Sequence, residues 1–262
     1  SVFACNPSFA LAPPVKPKIN RELTNNGGFI ENKGHFMDQN NQYNPDVLYL
    51  LNTPGMNVQL RKGGFSYDFY EMTNPNDAVP HYAFHRVDID LVNSNPQCYI
   101  ETCEPNTALS NYYCTRLGEQ AVTQVRSFQE VVYRNIYPGV DIEFQVDDQT
   151  GFKYNLVVHH NSGIKDIRMK ITGPDHQYVS DGSVMMTTRF GEVIETIPVS
   201  YYLDTDGLVR AQVQFIQLEN YEYGFQIKHT DKLSEGIWID PVPIRLWGTY
   251  YGGADFDQPT TM

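Results

Sequence analysis

The chain has 262 residues, of which 41% are hydrophobic, 13% aromatic and 19% charged, and its 19 Lys and Arg against 31 Asp and Glu leave a net charge of −12. So many aromatics and so few charges exclude intrinsic disorder, and a sequence pI near 4.9 excludes the basic face that phosphate contacts to nucleic acid need. No apolar run reaches the roughly 18 residues that span a bilayer, and the length suits one large all-β domain or two smaller ones, each able to bury a core.

Residues 1–28 differ in character from the rest of the chain. Ser1 to Ala12 is small and apolar, and Pro13, Pro14 and Pro17 come next. Ala10-Leu11-Ala12 has the form of a signal-peptidase site, and Val2-Phe3-Ala4-Cys5 faintly that of a lipoprotein box, but the basic stretch expected ahead of either is missing. Two readings stay open: an extended leader, or the remnant of an export signal. The proline spacing favours an extended linker in both.

Beyond residue 30 no window sustains an i, i+3, i+4, i+7 apolar stripe over three turns; alternation dominates instead. Val58-Gln-Leu60-Arg-Lys62 alternates, Gly63-Gly64 turns, and Phe65-Ser-Tyr67-Asp-Phe69-Tyr70 comes after it. Val87 to Leu91, Val140 to Val146, Phe152 to Leu156, Ile167 to Ile171 and Val209 to Phe215 also read with period two. Apolar on one face and polar on the other is the pattern of an antiparallel sheet lying on a core. Asp147 to Gly151, Asp181-Gly182 and Asp206-Gly207 sit between these runs as hairpin turns. The expected fold is all-β, a large antiparallel β-sandwich.

Gly64-Phe-Ser-Tyr67-Asp-Phe69 resembles Gly151-Phe-Lys-Tyr154-Asn-Leu156, and in each case one alternating strand comes before and another after. This predicts two fused, related sandwich units, the first over 29–117 and the second over 118–245.

Three of the four cysteines, Cys98, Cys103 and Cys114, fall within 17 residues, and the fourth is Cys5. No C-x-x-C occurs and no His lies between Cys98 and Cys114, so zinc is not expected. A hairpin turning at Glu104 to Thr107 would set Cys98 opposite Cys114, at cross-strand disulfide distance. The preferred pairing is therefore Cys98–Cys114, with Cys103 free or joined to Cys5.

Candidate chemistry is sparse. Asp141 and Glu143 share one strand face, roughly 6–7 Å apart at Cα, a spacing that permits acid–base work in glycoside hydrolysis. Glycosidase pairs normally come from different strands, however, and the solvated face of a half-buried strand produces the same letters. His81 and His85 would meet only on a helix; on a strand they lie roughly 13 Å apart. Adjacent His159 and His160 would point to opposite faces. Asp204-Thr-Asp206-Gly207 opens like a calcium loop but lacks the downstream Glu, so a turn is expected. No G-x-S-x-G, P-loop or G-x-G-x-x-G is present. No catalytic, cofactor-binding or metal-binding residue is assigned, and no cofactor is expected. The 18 tyrosines could stack on sugars. In the adjacent pairs Tyr112-Tyr113, Tyr201-Tyr202 and Tyr250-Tyr251 only one member can face a core; Tyr112, Tyr113, Tyr250 and Tyr251 are the candidate ligand-stacking aromatics.

Four phrases occur together: Gly28-Phe-Ile-Glu-Asn-Lys-Gly34, Tyr133-Arg-Asn-Ile-Tyr-Pro-Gly-Val-Asp-Ile-Glu-Phe144, Trp238-Ile-Asp-Pro-Val242 and Gly248-Thr-Tyr-Tyr-Gly-Gly253. In order and spacing they resemble the N-terminal domain that precedes SBBP-type β-propeller repeats in large secreted bacterial surface proteins. Many of those proteins carry C-terminal sorting or gliding-motility domains and some use type IX secretion. The likeness covers about 28–257, with departures at His35, Asn155 and the Gly252 to Asp257 stretch. It implies a secreted or cell-surface module without an established activity, with residues 246–262 beginning a propeller repeat. The expected role is non-enzymatic: capping or presenting the downstream β-propeller of the same chain, with an adhesive function toward a surface glycan or another surface protein. The alternatives are a carbohydrate-binding module and, third, a glycoside hydrolase-like enzyme using paired carboxylates. Nucleic acid and a membrane span are not expected.

Overall fold

A computed structural model describes residues 27–40, 42–74, 81–113, 121–159, 161–197, 200–204, 207–228 and 236–245. Their first half forms strands β1 (Phe29–Glu31), β2 (Val47–Thr53), β3 (Met56–Arg61), β4 (Gly64–Met72), β5 (Tyr82–Leu91), β6 (Tyr99–Pro105), β7 (Ser110–Tyr112), β8 (Val122–Val125), β9 (Ser127–Tyr137) and β10 (Val140–Asp147). The second half forms β11 (Gly151–Val158), β12 (Met169–Thr172), β13 (His176–Ser180), β14 (Ser183–Thr188), β15 (Gly191–Thr196), β16 (Ser200–Asp204), β17 (Gly207–Gln217), β18 (Glu222–Lys228), β19 (Ile237–Ile239) and β20 (Val242–Arg245). A short 3₁₀ turn at Asn161–Asp166 comes after β11. The all-β class expected from alternation is what the chain adopts.

Every strand pairing is antiparallel, as hairpin-rich alternation demands. The main sheet runs β1-β2-β3-β4-β5-β12-β18-β17-β16-β19-β11-β10-β9-β6. β1 also pairs with the start of β9, so the hydrogen-bonded path returns on itself and β6 lies on the other edge of β9. A closed path leaves few unpaired edges. A second sheet, β13-β14-β15-β20, is filled from residues before and after the β16–β19 part of the first. The phrase Trp238-Ile-Asp-Pro-Val242 performs that switch: β19 belongs to the main sheet, β20 to the second, and Asp240-Pro241 joins them.

The hairpins arise from their turn residues. Asp181 and Gly182 both take the left-handed conformation (φ 47° and 79°) and close β13 on β14, the geometry a tight two-residue hairpin requires. Asp147 accepts N–H bonds from Gln149 (3.1 Å) and Thr150 (2.9 Å), which shapes the β10–β11 turn. Asp204 of β16 pairs with Gly207 of β17; Thr205 and Asp206, in the segment expected to turn, lie outside the described residues.

The core lies between opposite walls of the main sheet. Phe65 of β4 meets Tyr154 (5.1 Å between ring centroids) and Phe144 (5.3 Å), and Tyr67 meets Phe152 (5.9 Å). The two similar phrases therefore face each other: Phe65 rests on Tyr154 as Tyr67 rests on Phe152. Hairpins β3–β4 and β10–β11 correspond, but the strand after each does not. β4 continues to β5, whereas β11 pairs with β19, and β12, the sequence counterpart of β5, pairs with β5 itself. The likeness is confined to the hairpin, and one hydrophobic cluster extends from Phe29 to Ile239 across the expected 117/118 boundary. A second part of that cluster places Val184, Met186 and Val193 of the smaller sheet with Ala211, Phe215 and Phe225 of β17 and β18.

The expected cysteine hairpin is not formed. β6 continues through Pro105, into the segment expected to turn, and pairs with β9; β7 pairs with β8 instead. The unfilled edge of β9 offers β6 a ladder that a local hairpin cannot match. Cys98 is consequently a free thiol, pushed above its ordinary pKa by burial, and not the partner of Cys114. Cys5 and Cys114, residues 1–26 of the expected leader 1–28 and the expected repeat start 246–262 lie outside the described residues.

Candidate functional site

The paired carboxylates sit where alternation placed them, on the outward face of β10, but they are committed to structure. Asp141 Oδ2 accepts from Arg134 Nη1 (2.9 Å) and lies 3.0 Å from His159 Nε2, while Oδ1 accepts the Asn135 N–H (2.7 Å). Arg134 is held in turn by Glu101 (2.8 Å). Burial works to raise the Asp141 pKa, but the bonds from His159, Asn135 and Arg134 outweigh it and hold the carboxyl below its ordinary value. Asn135, left-handed at φ 55°, accepts the Gly139 N–H (3.2 Å). The phrase around Tyr133 to Phe144 is thus a β9–β10 turn locked by Asp141. Glu143 lies opposite Asn155, whose side-chain amide approaches it at 3.4 Å.

His85 is equally occupied. His85 is buried on β5, its Nε2 3.0 Å from Gly173 O and its Nδ1 accepting the Arg189 N–H (3.2 Å). His81 is exposed just before β5, and His160 lies outside the described residues. Among the described residues no three His, Cys, Asp or Glu side chains are clustered to hold a metal, and no helix is long and apolar enough to cross a membrane.

The stacking candidates divide. Tyr112 is half-buried, stacked on His35 at 4.1 Å between centroids. Tyr113 is 80% exposed. Tyr202 packs on the core while Tyr201 is exposed, as one-face-in pairing demands. Tyr250 and Tyr251 lie outside the described residues.

Two clefts stand out. One, of about 650 Å³, lies where the β2–β3 and β10–β11 turns meet β20. Of its charged lining, Asp147 holds its own turn, Arg245 contacts Glu71 and lies over the Phe190 ring at 5.4 Å, and Asp148 is exposed. The other, of about 690 Å³, is bounded by Thr172 to Tyr178, Thr187 and Tyr221. Here side chains remain presented outward: Asp175 and His176 are exposed, Tyr178 is 48% and Tyr221 57% exposed. Asn220 and Tyr221 both take left-handed backbone (φ 51° and 61°) in the β17–β18 turn, closed by Leu218 N–H to Glu222 O and Glu222 N–H to Glu219 O, both 2.8 Å. Left-handed backbone is unfavourable for a bulky side chain. The floor is stiffened by Gln177, whose Nε2 donates to Ile171 O (3.1 Å) and whose Oε1 accepts from Tyr223 Oη (3.3 Å). Sequence reasoning missed this site because Tyr178 and Tyr221 belong to different sheets; only the paired left-handed turn residues hint at one half of it.

Sequence reading also missed a buried acid. Glu195 of β15 is 1% exposed and accepts from Tyr154 Oη at 3.3 Å, with Tyr67 Oη also facing it but completing no bond of normal geometry. Burial raises its pKa from 4.5 to about 7, and hydrogen bonding from the tyrosines only partly opposes this.

The structure defines an all-β domain built on one large antiparallel sheet, with an aromatic cleft between that sheet and a smaller one. The chain belongs to the family described as a domain of unknown function, DUF7948, which matches residues 29–242. No curated protein and no solved structure matches it.

Proposed function

We propose that the chain is a non-enzymatic binding module of a secreted or cell-surface protein, adhesive in role and standing ahead of the propeller-type repeat that the sequence resemblance implies. The observation that carries the reading is the Tyr178–Tyr221 cleft, where two sheets each present an exposed aromatic ring and one of these sits on left-handed backbone. Strain of this kind persists where function keeps it. A binding role is favoured over hydrolysis because Asp141 is saturated by Arg134, His159 and Asn135.

The test is retention of the purified chain on intact bacterial cells and on immobilised cell-envelope polysaccharide. The wild type is retained, and the Tyr178→Ala, Tyr221→Ala double variant is washed off. Equal retention of the two proteins, or turnover of a glycoside that Asp141→Asn abolishes, would overturn the reading.

A further inference from the structure

We infer that the Tyr178–Tyr221 cleft is a subsite for a neutral pyranose, an assignment that rests on the binding reading above and specifies its ligand. About 690 Å³ is within the usual range for small-ligand sites and exceeds what a single ion needs. The two rings offer apolar faces with polar hydroxyl tips, matching a sugar whose C–H faces are apolar and whose rim carries hydroxyls. Tyr178 lies two residues from His176 on one face of β13, so ring and imidazole project side by side. Asp175, exposed at the entrance to β13, is an acceptor for a pair of vicinal hydroxyls, and such charge-assisted bonds are the stronger kind. Its backbone is held by the Asp175 N–H to Thr187 O bond (2.8 Å). Thr172 and Thr187 add hydroxyls that both donate and accept.

The charge of the lining decides the sugar class. The cleft contains one carboxylate and one imidazole, and neither Lys nor Arg. Sialic acid, uronic acids, sulfated sugars and phosphate would meet Asp175 without a permanent counter-charge, on a chain of net charge −12. A quaternary ammonium ligand would welcome Asp175, but it is usually enclosed by an aromatic cage. Here two rings border an open cleft that carries hydrogen-bonding groups such a ligand cannot use.

Calorimetric titration with neutral gluco-, manno- and galacto-oligosaccharides, with sialyllactose and with choline tests the assignment on the whole chain. At least one neutral series binds saturably. Tyr221→Ala, Tyr178→Ala and Asp175→Asn each weaken it about tenfold or more, Tyr221→Phe retains it, and Tyr113→Ala leaves it unchanged. Thermal melts confirm that each variant is folded. Tyr221→Gly, which relieves the backbone strain, provides a second ring-deletion variant should Tyr221→Ala fail to fold. Retention on cells through the same cleft without any neutral sugar binding overturns the pyranose assignment but leaves the binding module standing. Preferential binding of choline or sialyllactose, or neutral binding that survives both tyrosine deletions, also overturns it. Loss of cell retention and sugar binding alike removes both.

Discussion

Replacing Glu195 by Gln changes one proton-binding group in the junction between the two sheets. In the folded chain the carboxyl is buried against Tyr154 and Tyr67, and its pKa stands at about 7 in place of 4.5. A raised carboxyl pKa means that the folded state holds a proton that the unfolded chain has released. Stability therefore falls as pH rises from about 4.5 to about 7 and levels off above that. Each tenfold change in proton concentration across that window is worth about 1.4 kcal/mol, so this group alone removes on the order of 2–3 kcal/mol between pH 5 and pH 8. Gln has nearly the same shape, offers an acceptor to Tyr154 and does not ionise. The expected result in urea unfolding is a Gln variant close to the wild type at pH 5 and on the order of 2–3 kcal/mol more stable relative to it at pH 8. A stability gap that stays constant from pH 5 to pH 8 would refute the reasoning, since it would mean that Glu195 titrates alike in folded and unfolded chains.

Two further variants probe the frame. Asp141→Asn removes the charge that Arg134 and His159 share, and should cost about 2–3 kcal/mol in urea unfolding; a neutral result would show the turn lock to be incidental. Gly64→Ala places a Cβ 2.5 Å from the Ile89 carbonyl, so β4 and β5 must part, with an expected cost of about 1–3 kcal/mol; an unchanged melting temperature would show that the backbone yields freely there.

Much of the frame was legible in the residues. Val140 to Val146 alternates because β10 has Ile142, Phe144 and Val146 in the core and Asp141, Glu143 and Gln145 on the opposite face, where Asp141 is itself buried beneath its partners. Phe65 and Tyr67 were recognisable as counterparts of Phe152 and Tyr154 because each pair occupies the inward positions after a tight turn. The cysteine hairpin failed because spacing alone says nothing of a competing edge, and β9 offered one. Asp141 and Glu143 read as a possible acid–base pair because saturation by Arg134 and His159 depends on residues from other segments.

Local order was therefore written in the sequence alone: strand positions, facing, turn types and the all-β class all come from interactions between residues a few places apart. Long-range choices came only with the tertiary structure. Closure of β1 onto β9, the passage of the chain between sheets at Asp240-Pro241, the burial of Glu195 beneath two tyrosines and the placing of Tyr178 and Tyr221 on one cleft each join segments tens of residues apart. Alternation repeats every two residues in every strand, so it determines which face of a strand is buried but cannot single out the strand that will lie beside it.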